Sequence, residues 1–340
     1  MTRKRRWLYF LLAVGATLLA LVLYTVYDNQ RIVVRRETVF IENLPEAFNG
    51  FTILQLTDLH EKTFGPGQKR LIDVINRERF DLVAITGDMT QNSGSQNFQP
   101  FYDLLDGWNN RAPILFVVGN TDPIVYAFWH NHEKTPFYTG MEARGARLLE
   151  SVFLLEKGED RLWIVHAQDA MRNPEPILAA IAERLPAETD EGMKGEFLRQ
   201  QKVFMDFRRF HADARPRDVV IGLTHYPLLP EDVERVRRDG KEFLLPPFDL
   251  LLAGHYHGGQ IRLPFIGALY VPERRLGKNG YFPPQDRVKG WMDVAGIPQY
   301  VSAGLGARNS VPLLAFRLFN PPEINLITLK PKPATDAPGR

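Results

Sequence analysis

The sequence predicts a mixed α/β domain behind one N-terminal membrane-spanning helix, and three observations lead there. Five short apolar runs each stop in residue types that coordinate metals. Residues 53–57 run into Asp58-Leu59-His60, 82–86 into Gly87-Asp88, 114–118 into Gly119-Asn120-Thr121-Asp122, 219–224 into His225-Tyr226-Pro227, and 250–253 into Gly254-His255-Tyr256-His257. Between the first two runs Leu71, Ile72 and Ile75 recur at helical spacing, which makes a strand-helix-strand unit and hence a parallel half-sheet with right-handed crossovers. Ahead of all of this lies an uncharged run from Trp7 to Tyr27.

That run reaches roughly 31 Å as a helix at about 1.5 Å per residue, enough to cross a bilayer. Trp7 and Tyr9 at one end and Tyr24 and Tyr27 at the other suit the two interfaces. The run is longer than a usual signal-peptide core and no small-x-small cleavage site follows it, so a signal anchor over residues 1–36 is favoured. Arg3, Lys4, Arg5 and Arg6 set the N-terminus in the cytoplasm and the rest outside the cell membrane, although Arg31, Arg35 and Arg36 weaken the asymmetry. Arg5-Arg6-Trp7-Leu8-Tyr9 also fits a loose twin-arginine export pattern.

The chain of 340 residues, with 44% hydrophobic and 24% charged residues, is globular in composition apart from this first segment. Residues 1–36 hold seven Lys or Arg and one Asp, which leaves 35 basic and 39 acidic residues in the rest, a net charge of −4. A slightly acidic domain is poorly suited to polyanions, so no nucleic acid is expected as partner. The chain has no cysteine. Thiolate ligands and disulfides are thereby excluded, and imidazole, amide and carboxylate donors suit Mn, Fe, Zn or Mg.

Taken in order, residues 33–41 read as an edge strand and 67–79 as the first core helix, followed by the strand at Leu82. A second helix from about Phe98 to Trp108 leads to the strand at Ile114. Residues 146–166 read as two or three short strands turning at 156–160. With later strands near Gln260, Tyr300, Ala315 and Ile324 they are expected to form a second sheet. Residues 186–217 form an insertion in which Phe197, Phe204, Phe207 and Phe210 do not share one face, so a helix packed on the core or a cap over the site is expected rather than a membrane-surface helix. Residues 331–340 read as a flexible tail.

Open α/β sheets bind ligands at the carboxyl ends of their strands, so the five ends can converge on one crevice. The ordered series Asp58-x-His60, Gly87-Asp88, Gly119-Asn120, His225 and Gly254-His255-x-His257 resembles the five motifs of the calcineurin-like metallophosphoesterases. Gly258-Gly259-Gln260, Leu263-Pro264-Phe265-Ile266-Gly267 and the stretch from Arg317 to Ile324 are similar to the membrane-anchored bacterial YkuE-like branch. The resemblance implies a four-layer αββα sandwich of two mixed sheets over residues 37–330. It also implies two divalent ions: Asp88 would bridge them, Asp58, His60 and His257 would hold the first, and Asn120, His225 and His255 the second. Two such cations lower the pKa of a bridging water and neutralise phosphoryl oxygens during in-line attack.

In that family a His usually follows the Asn, where it serves the leaving oxygen, and an acidic residue orients it. Here the two positions are Thr121 and Asp122. A hydroxyl is no acid near neutral pH, and a positioned acid contributes roughly 10² to 10⁴ in rate. The expectation is therefore a phosphodiesterase or pyrophosphatase acting on good leaving groups, or one that borrows His130 or His166. His132 and His211 read as surface residues, and Arg308 as a candidate phosphate contact. Substrates at the lipid surface, lipid-linked phosphates among them, follow from the anchor. The competing reading is a catalytically silent metal-binding receptor or scaffold.

Overall fold

The computed structural model describes residues 2–127, 132–273, 278–309 and 315–333, and in it the apolar runs become strands of two six-stranded sheets. The first runs, in spatial order, Val33–Ile41, Glu323–Pro331, Thr52–Leu56, Leu82–Ile85, Ile114–Phe116 and Ala146–Leu148. The second runs Gly290–Val294, Ile297–Val301, Leu250–Ala253, Val219–Leu223, Asp160–His166 and Val152–Lys157. The four strands from Thr52–Leu56 to Ala146–Leu148 are parallel neighbours, as strand-helix-strand crossovers require. Val33–Ile41 is an edge strand, as expected.

Alternation of side chains divides these strands between three apolar layers. Ile53, Leu82, Ala84 and Leu115 of the first sheet meet Ile164, Ile221, Leu250 and Leu252 of the second in the central layer. On the outer face of the first sheet, Leu54, Val83 and Phe116 pack on Leu71, Phe101, Leu104 and Phe137, which come from the helices Lys69–Ile75, Gln99–Gly107 and Pro136–Glu142. Trp163, Val165, Val220 and Leu251 meet helical residues on the outer face of the second. The result is the helix-sheet-sheet-helix sandwich.

Three expectations need correction. Ala146–Leu148 and Glu323–Pro331 belong to the first sheet rather than the second. The first follows the helix Pro136–Glu142 and continues the parallel run; the second is apolar on both faces, with Ile327 and Leu329 in the central layer and Ile324 and Leu326 in the outer one, as an interior strand requires. Near Ala315 the described residues hold only an isolated bridge at Leu318. The insertion folds as the helix Glu191–Asp213, whose Val203, Phe204, Phe207 and Phe210 pack on Trp163 and Val165. It is therefore the outer layer of the second sheet and not a cap over the strand ends. His211 is half-buried, its Nε2 2.9 Å from the Ala170 carbonyl, rather than solvated. Of the expected tail, residues 334–340 lie outside the described residues, as does His130.

The N-terminal helix Arg3–Asp28 is long and apolar enough to cross a membrane, and its side chains are exposed over nearly all of its length. Among the described residues it meets the domain at its C-terminal end. Asn29 clasps the Arg317 backbone with bonds of 2.6 and 3.0 Å, and Tyr24 packs on Phe319 at 5.1 Å between ring centroids.

Candidate metal centre

All seven expected ligands follow strands at their carboxyl ends. Asp58, His60, Asp88 and Asn120 come from the first sheet, and His225, His255 and His257 from the second. Five of them, Asp58, His60, Asp88, His255 and His257, have positive φ between 48° and 73°. Such left-handed backbone is uncommon outside glycine and disfavoured by Cβ sterics, so the fold spends stability to turn these side chains inward. The glycines of the motifs serve close approach: a Cβ on Gly119 would fall on Asp88, and one on Gly254 would fall on Thr57 and Asp58.

The side chains form two groups, Asp58 with His60 and His257, and Asp88 with His225 and His255, in each of which the ligand atoms lie within 4.8 Å of one another. In the first, His60 Nε2 faces His257 Nε2 at 3.2 Å, and His257 Nε2 lies 3.5 Å from Asp58 Oδ1. In the second, His225 Nε2 lies 3.0 Å from both His255 Nδ1 and Asn120 Oδ1. Asp88 Oδ2 touches both groups, 3.6 Å from His60 Nε2 and 3.3 Å from His225 Nε2.

The other ring nitrogens decide what these atoms are. His60 Nδ1 lies 3.0 Å from the Thr90 carbonyl, His225 Nδ1 2.8 Å from the Thr86 carbonyl, His257 Nδ1 3.4 Å from the Gly306 carbonyl and His255 Nε2 2.9 Å from Glu273. Each of those partners is an acceptor, so each of those nitrogens carries the proton and the nitrogen facing the crevice presents a lone pair. The crevice thus gathers lone pairs and carboxylate oxygens at 3.0–3.6 Å with no hydrogen between most of them, an arrangement that a cation relieves. Asp58 Oδ1 and Asp88 Oδ2 are buried and have no hydrogen-bond partner among the described residues. The residues fit divalent metal ions.

Left to the side chains alone, protons take that role. Burial, then the neighbouring Asp88, pushes the Asp58 carboxyl up to about 7. Burial opposes charging of His225, yet Asp88 and Asp58 push it up to about 9, and burial also opposes the ionised Asp88, which His225 and His60 hold well below the usual carboxylate range. Burial keeps His60 down at about 4.

Thr121 and Asp122 face away from this chemistry. The Thr121 hydroxyl donates to the Thr90 carbonyl at 2.7 Å, and its backbone N–H holds Asp88 Oδ1 at 2.7 Å. Asp122 accepts from the backbone N–H groups of Asp88, Met89 and Gly119 at 2.7–2.8 Å, so it clasps the loop that carries Asp88. His132 stacks on Tyr126 and pairs with Glu196 at 3.1 Å, away from the ligands. His166 ends the strand beside that of His225 and pairs with Asp169 at 2.9 Å. The Arg308 backbone is tied to Gln260.

The sequence reading missed three supports. Glu273 orients His255. Arg317, fully buried, donates 2.7 Å bonds to the Gly306 and Asn320 carbonyls, while Gly306 also holds His257 Nδ1 and donates its N–H to the Asp58 carbonyl. Asn320 donates to the His257 carbonyl at 2.7 Å. Arg317 and Asn320 stood in a stretch already singled out, whereas Glu273 carried no local signal.

The chain is 26% identical to the metallophosphoesterase YkuE of Bacillus subtilis over 84% of its own length and 82% of that protein's. It is 26% identical to the phosphodiesterase YaeI of Escherichia coli over 65% and 66% of the two lengths. It is 24% identical to a zebrafish transmembrane protein with a metallophosphoesterase domain over 65% of this chain and 43% of that one. Residues 51–259, the span from the first core strand to just past His257, match the calcineurin-like phosphoesterase family, and the chain belongs to it as a metal-dependent phosphoester hydrolase.

Proposed function

We propose that this chain is a two-metal phosphodiesterase or pyrophosphatase tethered to the cell membrane by its N-terminal helix, with the domain outside. The observation that carries the reading is the pair of lone-pair clusters that share Asp88 Oδ2. Asp58, His60 and His257 would hold one divalent ion and Asn120, His225 and His255 the other, with Asp88 common to both. Mn, Fe, Zn or Mg, bound there, supplies Lewis acidity toward the phosphoryl oxygens and a water of lowered pKa.

The protein's part is to hold those donors and to seat the substrate. Tyr226 packs on His255 at 4.3 Å between ring centroids and opens onto a cavity of about 760 Å³ lined also by Asp169, Arg172, Tyr256 and Glu273. A leaving group seated there meets Arg172, a cation for a second phosphate or a charged ester. His166, paired at 2.9 Å with Asp169 of the cavity wall, would give it a proton. Thr121 holds the sequence position of the family's imidazole, and its hydroxyl is bonded to the Thr90 carbonyl. The reading therefore favours diesters and pyrophosphates over alkyl monoesters.

The test is hydrolysis of a paired aryl diester and aryl monoester by the detergent-solubilised chain, after chelation and again with Mn added, with His255→Ala as control. Metal-dependent diester cleavage that disappears in the control is expected. Bound metal without turnover would favour the silent receptor, a reading to which the position of Thr121 lends some support.

A further inference from the structure

We propose that the hairpin from Ile261–Leu263 to Gly267–Tyr270 is a second membrane contact, its Phe265-Ile266 tip seated in the lipid interface beside the anchor. This rests on the reading of Arg3–Asp28 as a membrane anchor. Three observations on different parts of the chain carry it.

The tip is built to expose apolar surface. Phe265 is 109% exposed with φ 66°, a conformation unfavourable for a bulky residue, and Ile266 is 61% exposed beside it. Phe282, 68% exposed, stands against the returning strand, where its N–H bonds to the Leu269 carbonyl at 2.9 Å. Gln285 bonds both the N–H and the carbonyl of Ala268, which stiffens that strand. Single exposed apolar residues are ordinary, but two large ones together at the tip of one pinned hairpin, with a third on the segment bonded to its returning strand, mark a surface that meets another apolar phase.

The hairpin also lies against the segment on which the anchor ends, and it runs the right way. Arg317 is held by Asn29 and Phe319 packs on Tyr24, so from 317 to 319 the chain climbs the helix by five residues toward its apolar run, about 7 Å. Ile261 bridges Leu318 in parallel, and Arg262 N–H bonds to the Leu318 carbonyl at 3.0 Å. The strand from Ile261 therefore climbs in the same direction, and at about 3.3 Å per residue its tip stands ~13 Å farther along. The bilayer that receives Tyr24 is the phase this tip reaches.

The hairpin stem starts three residues after His257, and the same end of both sheets carries all the ligands. Seating the tip in lipid sets the crevice against the membrane surface, which suits phosphates carried on lipid headgroups better than soluble ones. The turn at 158–160 caps the opposite end of the second sheet.

The cysteine-free chain allows a direct test. Full-length Phe265→Cys, Val22→Cys and Glu156→Cys are labelled with an environment-sensitive fluorophore in vesicles of mixed neutral and anionic phospholipid containing shallow or deep spin-labelled lipids. The labels at 22 and 265 are both expected to be quenched by the spin-labelled lipids, and the label at 156 by neither probe. Quenching at 22 without quenching at 265 would overturn the hairpin contact and leave the anchor standing. Quenching at neither would overturn both. As a check on folding, each labelled protein must keep metal-dependent turnover of a soluble aryl diester.

Discussion

Asp58→Asn separates what the crevice does for metal from what it does for folding. Asp58 Oδ2 accepts from the Thr57 hydroxyl at 2.8 Å and from the His255 N–H at 3.1 Å, while Oδ1 faces His257 Nε2 at 3.5 Å and His60 Nε2 at 3.9 Å. In the metal-free protein its carboxyl is raised from 3.8 to about 7, first by burial and then by Asp88. The folded state thus binds this proton more tightly than the unfolded one, so ionisation costs folding stability as pH rises above about 4, and the cost is complete above about 7. Three pH units correspond to ~4 kcal/mol, an upper figure because His225 loses one of its two carboxylates in the variant. Asparagine keeps an acceptor toward Thr57 and His255 and turns N–H donors toward two imidazole lone pairs. The chelated variant should therefore melt above the chelated wild type at pH 8, by roughly 5–10 °C for a domain of this size, and close to it at pH 5. With Mn the order should reverse, because the variant lacks a charged donor to the first ion, and diester turnover should be lost. Scanning calorimetry of the detergent-solubilised chain at both pH values measures this, the anchor being common to both proteins. An equal destabilisation of the chelated variant at pH 5 and pH 8 would refute the reasoning.

Three further outcomes follow from the same geometry. His60→Ala and His225→Ala should each leave about one tightly bound Mn per chain where the wild type holds two, and Asp88→Asn should weaken both, as elemental analysis after gel filtration will show. Thr121→Val removes one of the two donors to the Thr90 carbonyl, His60 Nδ1 being the other, and should cost about 0.5–1.5 kcal/mol in denaturant unfolding, while the dependence of turnover on leaving-group pKa stays unchanged; a changed dependence would place the hydroxyl in the reaction. Arg317→Lys cannot reach both the Gly306 and Asn320 carbonyls, and it should weaken the first metal about 10- to 100-fold in competition titrations with little effect on the second.

The candidate metal-binding crevice was legible because its pattern is local. A β-strand that stops in a metal-ligating residue type, three of the five through a glycine, announces itself within seven residues, and five such ends in order define a crevice even though they span 58 to 257. The layer assignment of Glu323–Pro331 was not legible, since a short run of apolar residues does not say which sheet it joins; its place between Val33–Ile41 and Thr52–Leu56 is fixed by pairings some 270–290 residues apart in sequence. The helix Glu191–Asp213 was hard for a different reason. Its phenylalanines follow no narrow stripe: Phe204, Phe207 and Phe210 pack toward the sheet, while Phe197 lines a surface cavity together with Ile177 and Ile181 of the preceding helix. The roles of Thr121 and Asp122 were inferred from the place of an absent imidazole, and only hydrogen bonds in three dimensions reassign them to holding Asp88.

The position of the anchor adds a constraint that none of these elements carries alone. The last residues of the helix are joined to the first ligand group through a short series of buried contacts: Asn29 to the Arg317 backbone, the Arg317 guanidinium to the Gly306 carbonyl, and Gly306 to both Asp58 and His257. A flexible tether would need none of this. A clasp of two hydrogen bonds onto the segment that supports two ligands fixes the domain's tilt against the helix, and with it the direction in which the crevice faces. If the helix crosses the bilayer, the ends of both sheets and the Phe265-Ile266 tip are held at the same surface. On the proposed reading, a phosphate on a lipid headgroup would reach Asp88 by diffusing in two dimensions, whereas a soluble ester would have to find the same opening from the side.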